Sequence, residues 1–155
     1  MLVKFMAYAQ NLPTGPENSF IFPIGSKFTI RLFPKDSTHF DYAVIRFEPY
    51  RQIVDTWEND TLFEEEGEDG TIDFYFCLAT SGKTEEERKE KMQIVLLMKN
   101  RTEYALSYDS DIQIKKDGEF ETTSNVGVFP KAKGMEMWPY MIYQIKLSNI
   151  RKMRF

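Results

Sequence analysis

The only histidine in the chain, His39, stands between Ser37 and Asp41 in the run KDSTHFDY. Serine, histidine and aspartate are the residue types of a hydrolytic triad. A triad needs its base held between nucleophile and orienting acid, usually from distant segments, whereas side chains two apart on an extended strand point the same way. His39 is therefore expected as an exposed loop histidine. One histidine also founds no metal site unless carboxylates complete it. The only cysteine, Cys77, lies in IDFYFCLAT at strand spacing. It is expected as a small buried hydrophobe, and its solitude excludes an internal disulfide, a CxxC site and a Cys-rich zinc site.

The carboxylates offer two further chemistries. Glu64, Glu65, Glu66, Glu68 and Asp69 crowd one stretch, with Asp60 and Asp73 nearby. Glu66, Glu68 and Asp69 are the calcium candidates, since calcium takes several hard oxygens on a turn. The EF-hand spacing is missing, and such a charge run is expected to be a solvated loop. Asp109 and Asp111 carry a weaker case of the same kind. Glu136 lies between Met135 and Met137 just before Trp138, the one acid in a clearly apolar setting. Burial there would raise its pKa, as a general acid requires. The expected arrangement has Glu136 pointing outward, or paired with a Lys or Arg, while the methionines point in. No second carboxylate can be set opposite it as glycoside hydrolysis demands. The glycines are isolated, so no phosphate-cradling loop exists. No enzyme and no cofactor are expected.

Large aromatics are the remaining clue. Aromatic residues make up 15% of the sequence. Trp57, Trp138 and Tyr140, like Tyr50 and Tyr8, cannot all be assigned to a core by parity. Exposed Trp and Tyr stack on sugars or anchor protein partners. Trp138-Pro139-Tyr140 is expected to plug one end of the core. Together with Glu136 and Trp57, it is also the first place to look for a binding surface.

The elements that must position these residues read as strands. Ile72, Phe74, Phe76 and Leu78 alternate strictly with Asp73, Tyr75, Cys77 and Ala79. Phe28, Ile30 and Leu32 alternate with Lys27, Thr29 and Arg31, and Met141, Tyr143, Ile145 and Leu147 share one parity near the C-terminus. Residues 40–47 and 92–98 are apolar on both parities and are expected to lie deepest. Residues 103–115 predict one long strand, or two joined by a bend at Asp109 to Asp111. Lys116-Asp117-Gly118-Glu119 predicts a hairpin with a type I′ turn. The stretch 50–63 fits a helical face or a short strand equally. Thr84 with Glu87 is a capping box, and a short exposed helix is expected near 84–91 because the stretch has almost no apolar face.

Seven to nine strands plus one helix, without repeats or linkers, make a single all-β domain over 1–155. An antiparallel, immunoglobulin-like sandwich without a disulfide is expected, with a closed up-and-down β-barrel as the alternative. Net charge is −4, split as −7 over residues 1–80 and +3 over 81–155. Only Lys146, Arg151, Lys152 and Arg154 approach a basic stripe. They are expected as a solvated tail, and no nucleic-acid partner is implied. No run is long enough for a transmembrane segment. Ala7-Tyr8-Ala9 looks like a signal-peptidase site, but the apolar run before it is short and broken by Lys4. A longer precursor with that signal would place the chain in the periplasm or outside the cell, plausibly exported by a bacterium; otherwise it is cytoplasmic. The functional expectation is a non-enzymatic module that binds a protein or a glycan. The alternative is a carrier holding a small apolar ligand in a barrel cavity.

Overall fold

The computed structural model describes residues 3–5 as backbone and residues 15–154 in full. The Ala7-Tyr8-Ala9 pattern and Tyr8 lie outside the described residues. Among the described residues eleven strands follow one another: β1 (Val3–Phe5), β2 (Ser19–Pro23), β3 (Ser26–Pro34), β4 (His39–Pro49), β5 (Val54–Asp55), β6 (Thr71–Thr80), β7 (Met92–Asn100), β8 (Leu106–Gln113), β9 (Phe120–Thr123), β10 (Lys133–Trp138) and β11 (Gln144–Lys152). One helix, α1 (Glu85–Glu90), connects β6 to β7. The chain is thus nearly all-β with one short exposed helix, as its alternation predicts. The strands outnumber the seven to nine expected because β1 and β5 are three and two residues long, too short to show a period.

The strands form one connected sheet curled into a half-barrel, in the order β1-β2-β11-β4-β3-β6-β7-β10. Pairing is antiparallel except between β1 and β2 and between β5 and β6. β11 is the branch point. β8 runs along one edge of it, while β2 pairs with Gln144 to Ser148 on the other edge and β4 takes over at Ile150 and Arg151. The changeover falls at a bulge where Asn149 adopts a left-handed φ of 52°. Asn is among the few non-glycine residues that accept this conformation readily. Tyr42 of β4 closes the fork. Its hydroxyl accepts the N–H of Phe20 at 3.0 Å and donates to the carbonyl of Leu147 at 2.6 Å. The ring is fully buried, and burial pushes the phenol pKa far up, so the hydroxyl keeps its proton and this relay stays intact.

The Met135–Leu147 stretch divides differently from its parity. Met135 to Trp138 belong to β10, residues 139–143 turn, and β11 begins at Gln144. The supposed basic tail is the end of β11: Arg151 and Lys152 pair in the ladder with β8, and Ile150 just before them is buried in the inner core. A charged sequence hid a strand because its apolar partner face is carried by Ile145, Leu147 and Ile150 alone. The turn after β8 also differs from the expected type I′. Only Asp117 of its two central residues has positive φ, at 59°, and a type I′ turn needs both.

Two clusters of buried side chains explain the strand patterns. The inner face of the curl holds Phe20, Phe22, Phe28, Ile30, Phe74, Phe76, Leu96, Trp138 and others in one continuous core. Phe22 stacks on Phe28 with centroids 3.8 Å apart, and Phe28 on Phe74 at 4.9 Å. The opposite parity of β6 and β7 (Tyr75, Cys77, Ala79, Val95 and Leu97) makes a second, smaller core on the outer face. Residues 50–63 cover it, through Val54, Tyr50, Leu62 and Phe63. This resolves the ambiguous stretch: it is neither a helix nor a full strand but an extended strap, with β5 and a 3₁₀ turn at Asp60–Leu62. Strict alternation in β6 therefore marks two covered faces, not one wet one. Cys77 is fully buried there, and burial pushes its thiol up to about 12.

Candidate binding surface

β10 carries Glu136 and Trp138, and its register fixes where they face. Lys133 to Trp138 pair with Lys99 to Ile94 of β7. Trp138 lies in the inner core opposite Ile94, and Glu136, of the same parity, opposes the inner-core residue Leu96. Met135 packs against the outer core instead. The expected orientation is thus reversed: the acid faces inward and the methionines outward. The reason is that the outer face of β7 offers Val95 and Leu97 as apolar partners, which suit methionine, while Trp138 needs the deeper space. Glu136 meets no Lys or Arg there. Its carboxylate accepts the N–H of Val126 at 3.1 Å, and Trp138 donates its indole N–H to Thr123 at 3.3 Å. These two bonds join β10, one end of the strand order, to the last residue of β9 and to the segment that follows it.

Burial raises the Glu136 pKa above the ordinary carboxyl range, with the Val126 N–H pulling weakly the other way. An acid whose pKa is raised by folding favours the fold when protonated, and this contribution is lost as pH rises from the unfolded value of about 4.3 through the folded one. We predict that Glu136→Gln is more stable than wild type at neutral pH and loses that advantage in acid, as read by urea unfolding at the two pH values. An equal gain at both would show that the charge at Glu136 is not what matters.

Trp57 is placed very differently. It is 65% exposed. It rides on a turn fixed by Asp55, whose carboxylate accepts the N–H groups of Trp57 and Glu58 at 2.9 and 2.8 Å. Those backbone bonds hold the Asp55 carboxyl below its usual range. Asn59 donates to the carbonyls of Asp55 and Thr56, and Thr56 bonds Gln93 of β7 at 3.1 Å. The indole is therefore a solvent-facing group on a firmly bonded turn.

Register carries Trp57 to the same end of the sheet as Tyr140. Asp55 pairs with Thr80, Thr80 with Met92, and Ile94 with Trp138. Two residues beyond Asp55 and two beyond Trp138 therefore lie toward one end of the sheet, with β5 and β10 three strand spacings, about 15 Å, apart across β6 and β7. Tyr140, Met141 and Met137 are 49%, 42% and 38% exposed. The four sequence candidates thus divide. Trp138 and Glu136 serve the inner seam, and Trp57 and Tyr140 stand at the open rim with two methionines.

A second concavity, of about 460 Å³, opens on the outer face beside the acidic loop, lined among others by Lys27, Arg46, Phe63, Glu66, Asp73 and Arg101. Arg101 is its organiser. Its guanidinium donates to Asp73 at 2.8 Å and to the carbonyls of Glu64 and Glu65 at 2.7 and 3.4 Å. Asp73 in turn accepts from Thr29 at 2.6 Å. Gly67 lies so close to the Arg101 side chain that a Cβ there would collide with it. The calcium candidates are drawn apart by cations: Glu68 pairs with Arg31 and Asp69 with Lys131, while Glu66 stays on the rim of the concavity. Among the described residues, no three His, Cys, Asp or Glu side chains are grouped to hold a metal ion. Sequence reasoning passed over Arg101 because a lone arginine after Asn100 has no pattern; the nearby Gly67 was the only hint of a close approach.

His39 is the first residue of β4, and its Nδ1 lies 2.8 Å from the Thr38 hydroxyl and 3.2 Å from Asp36. No bond to Ser37 or Asp41 forms, so the Ser-His-Asp trio does not assemble. Compared with known proteins, the chain matches no family model, no curated protein sequence and no solved structure.

Proposed function

We propose that this chain is a non-enzymatic binding module that captures a protein partner through the rim formed by Trp57, Tyr140, Met137 and Met141. The observation that carries the reading is the exposure of these apolar groups toward one end of the sheet, from segments some eighty residues apart, on a fixed turn and at a strand end. Trp and Tyr dominate binding hot spots, and Met is enriched in interface cores. A buried thiol at Cys77 and a His39 imidazole whose Nδ1 meets Thr38 and Asp36 of its own turn support a role without catalysis. The inner face is filled by large aromatic and aliphatic side chains, which argues against an apolar-ligand carrier. A glycan remains the second reading, favoured by the 460 Å³ concavity, where Phe63 adjoins several charged groups.

The same seam informs the architecture. We read the half-barrel as nearer to a barrel than to an immunoglobulin-like sandwich. Pairing runs unbroken across the sheet, and the Glu136–Val126 and Trp138–Thr123 bonds draw β10 to β9, the strand that pairs with β8 and ends the branch from β11. The whole chain, 1–155, is proposed as one domain.

Peptides selected from a displayed library against the folded protein test the function. Trp57→Ala and Tyr140→Ala should each weaken the selected peptides about tenfold or more, the scale of a hot-spot residue. Their melting temperatures should stay close to wild type, because exposed substitutions change stability by about 0.5 kcal/mol or less. Undiminished binding by both variants would remove the rim from the account.

A further inference from the structure

We propose that a cavity at the opposite end of the sheet binds a phosphate-type oxyanion. The cavity measures about 300 Å³ and is lined by Thr38, His39, Ser107, Arg151, Lys152 and Arg154. It lies where β4 and β8 begin and β11 ends, the far end from the Trp57 rim, and it does not depend on the role given to that rim.

Register gives the site its order. Arg151 pairs with His39 on one side and with Ser107 on the other. The three side chains therefore stand in one row across three neighbouring strands, with directly opposed Cβ atoms about 5 Å apart. A guanidinium flanked by an imidazole and a hydroxyl matches the donor pattern that oxyanions take.

Arg151 and Lys152 are held before any ligand arrives. One terminal nitrogen of Arg151 donates to Asp109 at 3.1 Å and to the Asn149 carbonyl at 2.8 Å. The Lys152 ammonium stands 4.6 Å above the Tyr104 ring, and its backbone N–H bonds the Thr38 carbonyl at 2.8 Å. On the other wall, the Asp36 carboxylate takes the N–H groups of Thr38 and His39, each at 2.8 Å, which rigidifies the turn. Two carboxylates, Asp36 and Asp109, oppose three permanent cations. Three cations against two anions leave the balance at the cavity positive.

The size suits a phosphate or sulfate carried on a small molecule, and donors from side chains on three strands suit a tetrahedral anion better than a planar one. The test titrates inorganic phosphate into the full-length chain at constant ionic strength and follows backbone amide shifts. Saturable shifts at His39, Ser107 and Arg151 are expected, with sulfate competing and chloride not. Arg151→Gln should weaken phosphate about tenfold, and Arg154→Gln by a smaller factor, in line with charge-assisted bonds. If Arg151→Gln also lowers the melting temperature, Arg154→Gln decides. Shifts that chloride reproduces, or that saturate equally in Arg154→Gln and wild type, overturn the proposal.

Discussion

Arg101→Met is expected to cost about 3–5 kcal/mol, the cost of breaking a buried ion pair from one side. The side chain is 7% exposed and serves three acceptors at once. Methionine keeps the volume but leaves the Asp73 carboxylate without its cation and two carbonyls of the acidic loop without a donor. Those groups then face desolvation unrelieved. At about 2–4 °C per kcal/mol for a chain of this size, the melting temperature should fall by roughly 10 °C. The loop at Glu64 to Gly67 should also become the first site of limited proteolysis, because Arg101 is its tether. The double variant Arg101→Met with Asp73→Leu should recover part of the loss, since an apolar pair replaces a charged one without leaving either partner buried alone. A melting temperature within a degree or two of wild type would mean that the pair behaves as a surface bridge worth almost nothing.

Trp138→Ala is the second large effect, at about 3–5 kcal/mol for truncation of a buried tryptophan. Trp138 is 5% exposed in the inner core, and its indole N–H holds Thr123 across the seam. The neighbouring Tyr140→Ala removes a side chain that is half exposed and should scarcely register in the same unfolding experiment. The contrast separates two aromatics only two residues apart, one a structural plug and the other a rim group. Comparable losses from both would merge them again.

Much of the architecture was legible because alternation reports faces directly. β3, β6, β7 and the helix capped by Thr84 appear where their patterns put them, and Thr84 does accept the Glu87 N–H at 3.1 Å. The Glu87 carboxylate reaches back, though to the N–H of Lys83 rather than of Thr84. What escaped was any feature set by a partner distant in sequence. The second core on β6 and β7 depends on the strap at 50–63, whose own residues show no clean period. The orientation of Glu136 depends on which face of β7 is already covered. β11 was extended through Arg151 because β4 and β8 flank it on both sides, which its own charges conceal.

The candidate site was half legible for the same reason. The sequence singled out Trp57, Trp138, Glu136 and Tyr140 as aromatics and an acid without an obvious place. It could not divide them, because that division rests on the chain of pairings from Asp55 through Thr80 and Met92 and on the neighbouring pair of Ile94 with Trp138. Arg101 and the row of His39, Arg151 and Ser107 were invisible beforehand. Each is a single polar residue whose meaning appears only when three strands stand side by side.

The chain has two tryptophans, and hence two indole N–H signals in a nitrogen-correlated NMR spectrum. Adding a peptide selected for binding should shift the Trp57 indole in proportion to occupancy and leave the Trp138 indole, held by Thr123 in the core, where it was. A shift of the Trp138 signal with Trp57 unmoved would contradict the rim as the binding surface and place recognition at the seam instead.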